Sequence, residues 1–190
     1  WNQFDSKDFN ICLDSRKSNS NSLFIAVIGE RLDAHQFLDS VYQNGTKLAI
    51  VQQGKDYSKI PKDFTLIEVK DTTLAFGKLA TAHGLIANST RIAITGSNGK
   101  TTTKGILFHL LSSFEATSST QGNFNNHIGV PLSLLDIKPE HKFSIIEMGT
   151  NHPGEIQYLA ELAKPAHAII TNIGDSHLEY LKDRKGVFIE

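Results

Sequence analysis

The chain has 190 residues, of which 39% are hydrophobic and 21% are charged, so its composition excludes a disordered or fibrous protein. Its formal net charge is −1 at pH 7, which gives no reason to expect nucleic acid or an anionic membrane as a partner. The single cysteine, Cys12, cannot form an internal disulfide, which excludes a disulfide-stapled secreted domain and favours a reducing, cytoplasmic location.

No apolar run in the sequence approaches the length of a membrane-spanning helix, so membrane insertion is not expected. The chain begins at Trp1 and ends at Glu190, inside a helix predicted to start near Asp183. We therefore expect the sequence to be part of a longer protein.

The first half of the chain alternates apolar runs of strand length with segments of helical apolar spacing. Strands are predicted at residues 23–27, 47–51 and 64–69, and helices at residues 34–42 and 72–86. Strands that alternate with helices in this way predict an α/β fold rather than an all-β one.

A polar break over residues 84–89 separates this half from the next. It predicts a small α/β domain over residues 1–88, followed over residues 89–190 by part of a second, mostly parallel α/β domain. The second domain carries a phosphate-binding loop.

Two polar stretches of the first half lie in loops or at predicted strand ends. One is Asp14-Ser15-Arg16, and the other includes Gly29, Glu30, Arg31, Asp33 and His35. Ligand-contacting residues concentrate at such positions. The residue types alone nevertheless favour solvated turns with local capping, because these residues so often serve turns.

Residues 91–103 predict a strand, a tight loop and the start of a helix. Backbone N–H groups, the helix dipole and a lysine can together cradle a polyphosphate there, and a hydroxyl after the lysine can ligate Mg²⁺. Only two residues separate the glycines, fewer than in the usual G-x-x-x-x-G-K-S/T pattern. The alternative interpretation, an ordinary strand-to-helix turn that binds no nucleotide, is therefore kept. The candidate nucleotide-binding residues are Thr95, Gly96, Ser97, Asn98, Gly99, Lys100, Thr101 and Thr102.

Three further features of the second half point to the same edge of the predicted sheet. Glu147 ends an apolar strand, and His177 follows a second strand predicted to be buried at residues 166–171. Because ligands gather at the carboxyl ends of parallel strands, both side chains are candidate metal ligands beside the loop. Residues 122–131 are rich in asparagine and glycine, which suits either a long turn or a loop that holds ligand oxygens.

These motifs together resemble those of the ATP-dependent Mur ligases of bacterial peptidoglycan synthesis. The shortened phosphate loop at residues 95–102 looks like that family's own. Residues 122–131 and 147–155 are most similar to the member that adds D-alanyl-D-alanine, and residues 14–16 and 29–35 fit the same member. The match covers nearly the whole chain with several motifs in the right order.

The resemblance implies that the first domain binds the uridine diphosphate end of a UDP-N-acetylmuramoyl tripeptide. The candidate substrate-binding residues that it implies are Ser15, Arg16, Gly29, Glu30, Arg31, Asp33 and His35. This implication replaces the interpretation of those residues as simple turns. D-alanyl-D-alanine would be the second substrate, and a monomeric, cytoplasmic enzyme is expected.

For the second domain, the resemblance implies a site for ATP and Mg²⁺. Lys100 and the loop backbone would hold the ATP phosphates. Thr101 and Glu147 would hold one Mg²⁺ and His177 a second, with Asn125 and Asn126 near the transferring phosphoryl group. The family places a carbamylated lysine just beyond residue 190 and a further domain after it, so the 190-residue piece alone is expected to be inactive.

Other functions stay open within and outside this resemblance. Diamino-acid-adding ligases, folylpolyglutamate synthase and cyanophycin synthetase share the loop and the acid at a strand end. A non-catalytic module that binds a nucleotide sugar is the alternative from a different class.

Overall fold

The computed structural model describes residues 10–29 and 32–190. They form two compact units that divide between Phe76 and Gly77. The division lies within one helix, whereas the domain boundary predicted near residue 88 marks the end of that helix. That boundary stays a prediction.

The first unit is built on a parallel sheet with the strand order β1-β2-β3-β4. The strands are β1 (Asn10–Cys12), β2 (Ser22–Ile25), β3 (Leu48–Gln52) and β4 (Thr65–Val69). Parallel neighbours need crossover connections, which here include 3₁₀ turns at Ser15–Lys17 and Ala34–Phe37 and helix α1 (Leu38–Gln43). Apolar side chains such as Phe24, Val41 and Phe64 are buried together in the core of this unit.

Helix α2 (Thr72–Ile86) contains the division between the units. Its N-terminus is capped by Asp71, whose carboxylate accepts a hydrogen bond of 2.8 Å from the Leu74 N–H. Such a cap satisfies one of the N–H groups that have no partner within the helix.

The second unit contains a parallel sheet with the strand order β6-β7-β5-β8. Its elements after α2 are β5 (Thr90–Thr95), α3 (Lys100–Ser112), β6 (Thr117–Ser119), α4 (Gly129–Leu135), β7 (Phe143–Glu147), α5 (Glu155–Ala163), β8 (His167–Ile170), α6 (Leu178–Leu181) and α7 (Arg184–Ile189). Strand follows helix along the chain while every strand pair is parallel. The α/β class predicted from the sequence is therefore confirmed.

The centre of this sheet is apolar and the edge strand β8 is not buried. Ile94 and Ile145, on β5 and β7, are fully buried, as branched residues in a central parallel strand should be. The strand predicted at residues 166–171 is present, but its predicted burial is wrong, since Ile170 is 63% exposed. β8 pairs with β5 on one side and lies at the edge of the order β6-β7-β5-β8.

Within the described ranges, none of the helices combines the length and the apolar content needed to cross a bilayer.

Leu134 on α4 gives a direct test of the second core. Its side chain is fully buried in the cluster that includes Ile146 and Leu159, so Leu134→Ala should lower the free energy of unfolding by about 2–5 kcal/mol. Urea denaturation of the full-length protein followed by circular dichroism measures this. Leu85→Ala, at a helical leucine that is 45% exposed, is the matched control and should change stability by about 0.5 kcal/mol or less. Equal effects at the two positions would contradict the packing described.

Candidate functional site

The loop between β5 and α3 has a shape that requires glycine at two positions. Gly96 has φ +130° and Gly99 has φ +82°, values that side-chain-bearing residues rarely adopt. A Cβ atom on Gly96 would also lie 2.2 Å from Thr171 Oγ1. The two glycines let the chain turn tightly from the sheet into the helix.

The segment after β8 holds this loop in place. Asn172 accepts hydrogen bonds from the loop at two atoms, its carbonyl oxygen from Ser97 N at 3.1 Å and its Oδ1 from Asn98 N at 3.1 Å. Thr171 Oγ1 donates to the Asn98 carbonyl oxygen at 2.6 Å, and Gly174 N donates to Ser97 Oγ at 2.9 Å. The loop conformation is thus set by the neighbouring strand end.

The start of α3 offers N–H groups and a positive charge to an anion. Gly99 precedes the helix as its cap and has no side chain to accept from the first turn, where N–H groups lack partners within the helix. Lys100 Nζ donates to the carbonyl oxygens of Gly96 at 2.5 Å and Ser97 at 3.4 Å. Phosphate oxygens are stronger acceptors for an ammonium group than these carbonyls, so this arrangement can bind a polyphosphate.

Glu147 lies beside this loop, as predicted from its place at the end of a strand. It is the last residue of β7, is 1% exposed and pairs in register with Ile94. Thr101 Oγ1 lies 3.1 Å and 3.3 Å from its two carboxylate oxygens. Asn125 Nδ2 donates to Oε1 at 3.0 Å, and Lys104 Nζ lies 3.0 Å from Oε2.

The charge of Glu147 follows from these contacts. Burial by itself raises the pKa of its carboxyl group, but hydrogen bonds from Asn125, Lys104 and Thr101 and the charge of Lys104 lower that pKa below its ordinary value. Glu147 is therefore ionised at neutral pH. A hydroxyl and an ionised carboxylate in contact form a set of hard oxygen ligands that fits Mg²⁺.

The two predicted asparagines have different surroundings. Asn125 contacts Glu147 with its side chain and accepts from Gly149 N at 2.8 Å with its backbone oxygen. Asn126 Oδ1 instead accepts from Ile128 N at 3.1 Å and from Gly129 N at 2.9 Å at the start of α4. The loop is therefore both a turn and part of the site, because Asn126 binds N–H groups at the start of α4 and Asn125 reaches the carboxylate.

His177 lies at a cavity of about 260 Å³ whose other lining residues include Gly96, Lys100 and Asn172. Among the described residues, Glu147 is not one of those that line this cavity. Nor does the described part of the chain contain a group of three or more His, Cys, Asp or Glu side chains arranged for a metal. His177 as a metal ligand stays a prediction.

Lys104 is a site residue that sequence reasoning missed. It is the buried residue of α3, 7% exposed, and its Nζ donates to the Gly122 carbonyl oxygen at 2.9 Å besides pairing with Glu147. The available signal was its spacing, because a residue three positions after Thr101 lies on the same helix face.

In the first unit, Asp14 and Arg16 bind each other through two hydrogen bonds of 2.9 Å and 2.8 Å. Bonding to Arg16 lowers the pKa of the Asp14 carboxyl to about 2. The Ser15 carbonyl oxygen accepts from Ser18 Oγ and from Asn44 Nδ2. These contacts are those of a capped turn, although the Arg16 side chain is 87% exposed and open to solvent.

The second polar stretch is also internally bonded where it is described. Gly29 N donates to the Leu32 carbonyl oxygen at 2.8 Å, while Glu30 and Arg31 lie outside the described residues. His35 Nε2 accepts from Gln52 N at 2.9 Å, so its Nδ1 carries the proton and donates to Asp33 at 2.5 Å. Asp33 also pairs with Lys55 at 2.7 Å.

Residues 94–189 match the model of the Mur ligase middle domain. The chain belongs to the Mur ligase family. The matched range contains the glycine loop, the Glu147 carboxylate and His177.

Curated relatives in this family include UDP-N-acetylmuramoyl-tripeptide--D-alanyl-D-alanine ligases. The enzyme of Haemophilus influenzae is 45% identical over 92% of this chain and 38% of its own length, and that of Bacillus subtilis is 39% identical over 93% and 38%. Among solved structures, MurF from Acinetobacter baumannii has a TM-score of 0.87 at 40% identity and covers 94% of this chain and 39% of its own. MurF ligase from Thermotoga maritima in complex with ADP has a TM-score of 0.86 at 31% identity, covering 95% and 41%. The chain thus spans about two fifths of the length of these relatives.

The Asp33 cluster predicts a pH-dependent stability. Partial burial raises the pKa of Asp33, but hydrogen bonds from Lys55 and His35 outweigh it and bring the pKa to about 2, from an ordinary 3.8. Because the folded pKa is the lower one, the carboxylate contributes stability above about pH 4 and loses it as the pH falls toward 2.

Asp33→Asn should therefore lower the free energy of unfolding at pH 7 by under about 1 kcal/mol, since Asp33 is partly exposed. The difference from wild type should shrink as the pH approaches 2. Denaturant titrations at pH 7, 4 and 2.5 measure it, with Asp39→Asn, on the exposed side of α1, as the control for loss of one carboxylate. A difference that is constant with pH would show that Lys55 and His35 do not hold Asp33.

Proposed function

We propose that the protein to which this chain belongs is an ATP-dependent ligase that joins D-alanyl-D-alanine to a UDP-N-acetylmuramoyl tripeptide. The observation that carries the proposal is the contact between Thr101, at the start of α3, and the ionised Glu147 at the end of β7. The hydroxyl and carboxylate oxygens of these two residues are suited to bind Mg²⁺, and they lie directly beside a loop suited to bind phosphate. The names of the curated relatives supply the substrates.

Nucleotide binding follows from the loop. Lys100 and the N–H groups that open α3 would hold the ATP phosphates, with residues 95–102 as the binding segment. The Thermotoga maritima relative, solved in complex with ADP, supports a nucleotide at this fold. Thr101 and Glu147 would hold Mg²⁺, which when bound neutralises phosphate charge, and His177 is proposed as a ligand of a second ion.

The reaction would take place in two steps. A carboxylate of the tripeptide attacks the γ-phosphorus of ATP, a C–O–P link forms and the bond to the ADP oxygen breaks. Lys100 offsets the repulsion between the two anions during this transfer, and Asn125 helps to fix Glu147. The amine of D-alanyl-D-alanine then attacks the acyl carbon and loses a proton, and inorganic phosphate departs to leave a peptide bond.

The first unit is proposed to bind the uridine diphosphate end of the tripeptide substrate. Arg16 is suited to this role because its guanidinium is largely exposed although it is paired. Ser15, Gly29, Glu30, Arg31, Asp33 and His35 complete the proposed contacts. Domains at residues 1–88 and 89–190, a monomeric state and a cytoplasmic location belong to the same proposal.

Phosphate release by the full-length protein tests this function. Release is expected only when ATP, Mg²⁺, UDP-N-acetylmuramoyl tripeptide and D-alanyl-D-alanine are present together. Omission of the dipeptide is the informative control, because the acyl phosphate then has no amine acceptor. Turnover with a diamino acid in place of the dipeptide would assign another reaction within the family, and nucleotide-sugar binding without any turnover would indicate a non-catalytic module.

Gly96→Ala tests the loop itself. A methyl group there would meet Thr171 Oγ1 in a backbone conformation unfavourable for alanine, so ADP affinity should fall by at least about tenfold, the equivalent of 1.4 kcal/mol. Gly105→Ala is the matched control, because a Cβ at that exposed helical position meets nothing within 4 Å, and it should retain affinity. Calorimetric titration with ADP measures both, and normal affinity in Gly96→Ala would argue against phosphate binding in this loop.

A further inference from the structure

We propose that Lys104 is a positioning residue that holds Glu147 in the orientation required for a magnesium–nucleotide complex and fastens the loop that carries Asn125. The inference rests on the proposed function of the site. It concerns a residue that is not among the described residues lining the cavity beside the glycine loop.

The burial of Lys104 is the first observation. A buried ammonium group is costly unless it is paired and hydrogen-bonded, and long polar side chains usually extend to solvent instead. Lys104 is only 7% exposed, and its Nζ has two close protein acceptors, Glu147 Oε2 at 3.0 Å and the Gly122 carbonyl oxygen at 2.9 Å. Its charge is therefore directed to one carboxylate.

The two lysines of α3 have different surroundings. Lys100 lines the cavity and bends over the carbonyl groups of the glycine loop. Lys104, one helical turn later, lies on the face that also presents Thr101 to Glu147. Lys100 is thus placed for the phosphates, and Lys104 for the carboxylate beside them.

Each oxygen of the Glu147 carboxylate has its own donor. Lys104 holds Oε2 and Asn125 holds Oε1, so the plane of the carboxylate is set from two sides. Lys104 also holds the carbonyl of Gly122, at one end of the loop that delivers Asn125. The Lys104 ammonium group therefore donates to the carboxylate itself and also fastens the loop that carries the other donor, Asn125.

This support matters because Mg²⁺ demands near-ideal octahedral geometry. Partners of metal ligands that lie outside the coordination shell fix the orientation of those ligands, and their loss commonly costs about 10- to 100-fold in metal affinity. Without Lys104, Oε2 of the Glu147 carboxylate would keep only its contact with Thr101, and Asn125 would be less firmly held.

The test measures ADP binding to the full-length protein by calorimetry, once in excess Mg²⁺ and once in EDTA. The ratio of the two dissociation constants is the magnesium-dependent gain in affinity. Lys104→Met should reduce this gain by about 10- to 100-fold while leaving the affinity in EDTA close to that of wild type, because Lys100 and the loop remain. Lys104→Arg, which keeps the charge, should restore most of the gain.

Lys78→Met, at an exposed lysine on α2, is the matched control and should leave the gain unchanged. If Lys104→Met does not fold, Lys104→Gln replaces it, with the same loss expected from removal of the charge. A folded Lys104 variant without charge whose gain is unchanged or larger would overturn the inference. A wild-type protein with no magnesium-dependent gain would instead count against the proposed function, so the two failures are distinguishable.

Discussion

The second unit depends on one buried negative charge. Glu147 closes a central strand at a point where water is nearly absent, and a carboxylate in such a place must be hydrogen-bonded and compensated. Its partners come from separate parts of the chain: Thr101 and Lys104 from the helix after the glycine loop, and Asn125 from the loop before α4. The segments that compensate the Glu147 charge therefore meet at the carboxyl end of the sheet, where parallel α/β folds bind their ligands.

Much of this arrangement could be predicted from the residues because its determinants are local. Gly96 and Gly99 predict a tight turn, and apolar runs with branched residues predict the strands around it. The meeting of Glu147 with the loop was also predictable, since the carboxyl ends of parallel strands share one edge. That inference needed the class of fold but no side-chain detail.

What escaped prediction depends on contacts distant in sequence. A lysine on a helix is ordinarily solvated, so the burial of Lys104 becomes visible only when β7 and Gly122 are placed beside it. Within these 190 residues β8 is exposed because it lies at the edge of the strand order, a position that its apolar sequence does not encode. The internal bonding of His35 was also hidden in the sequence, because one of its ring nitrogens binds Gln52, which is distant in sequence, and the other binds Asp33.

The hydrogen bonds that join Ser97 and Asn98 to the segment after β8 have a thermodynamic consequence. A flexible glycine-rich loop would lose conformational entropy when it closed on an anion, and that loss would be subtracted from the affinity. Here Thr171 and Asn172 order the turn through contacts internal to the protein, so the cost of ordering belongs to folding rather than to association. An incoming anion therefore meets a rigid turn, and the strength with which it is held reflects charge and geometry instead of the freezing of a mobile chain.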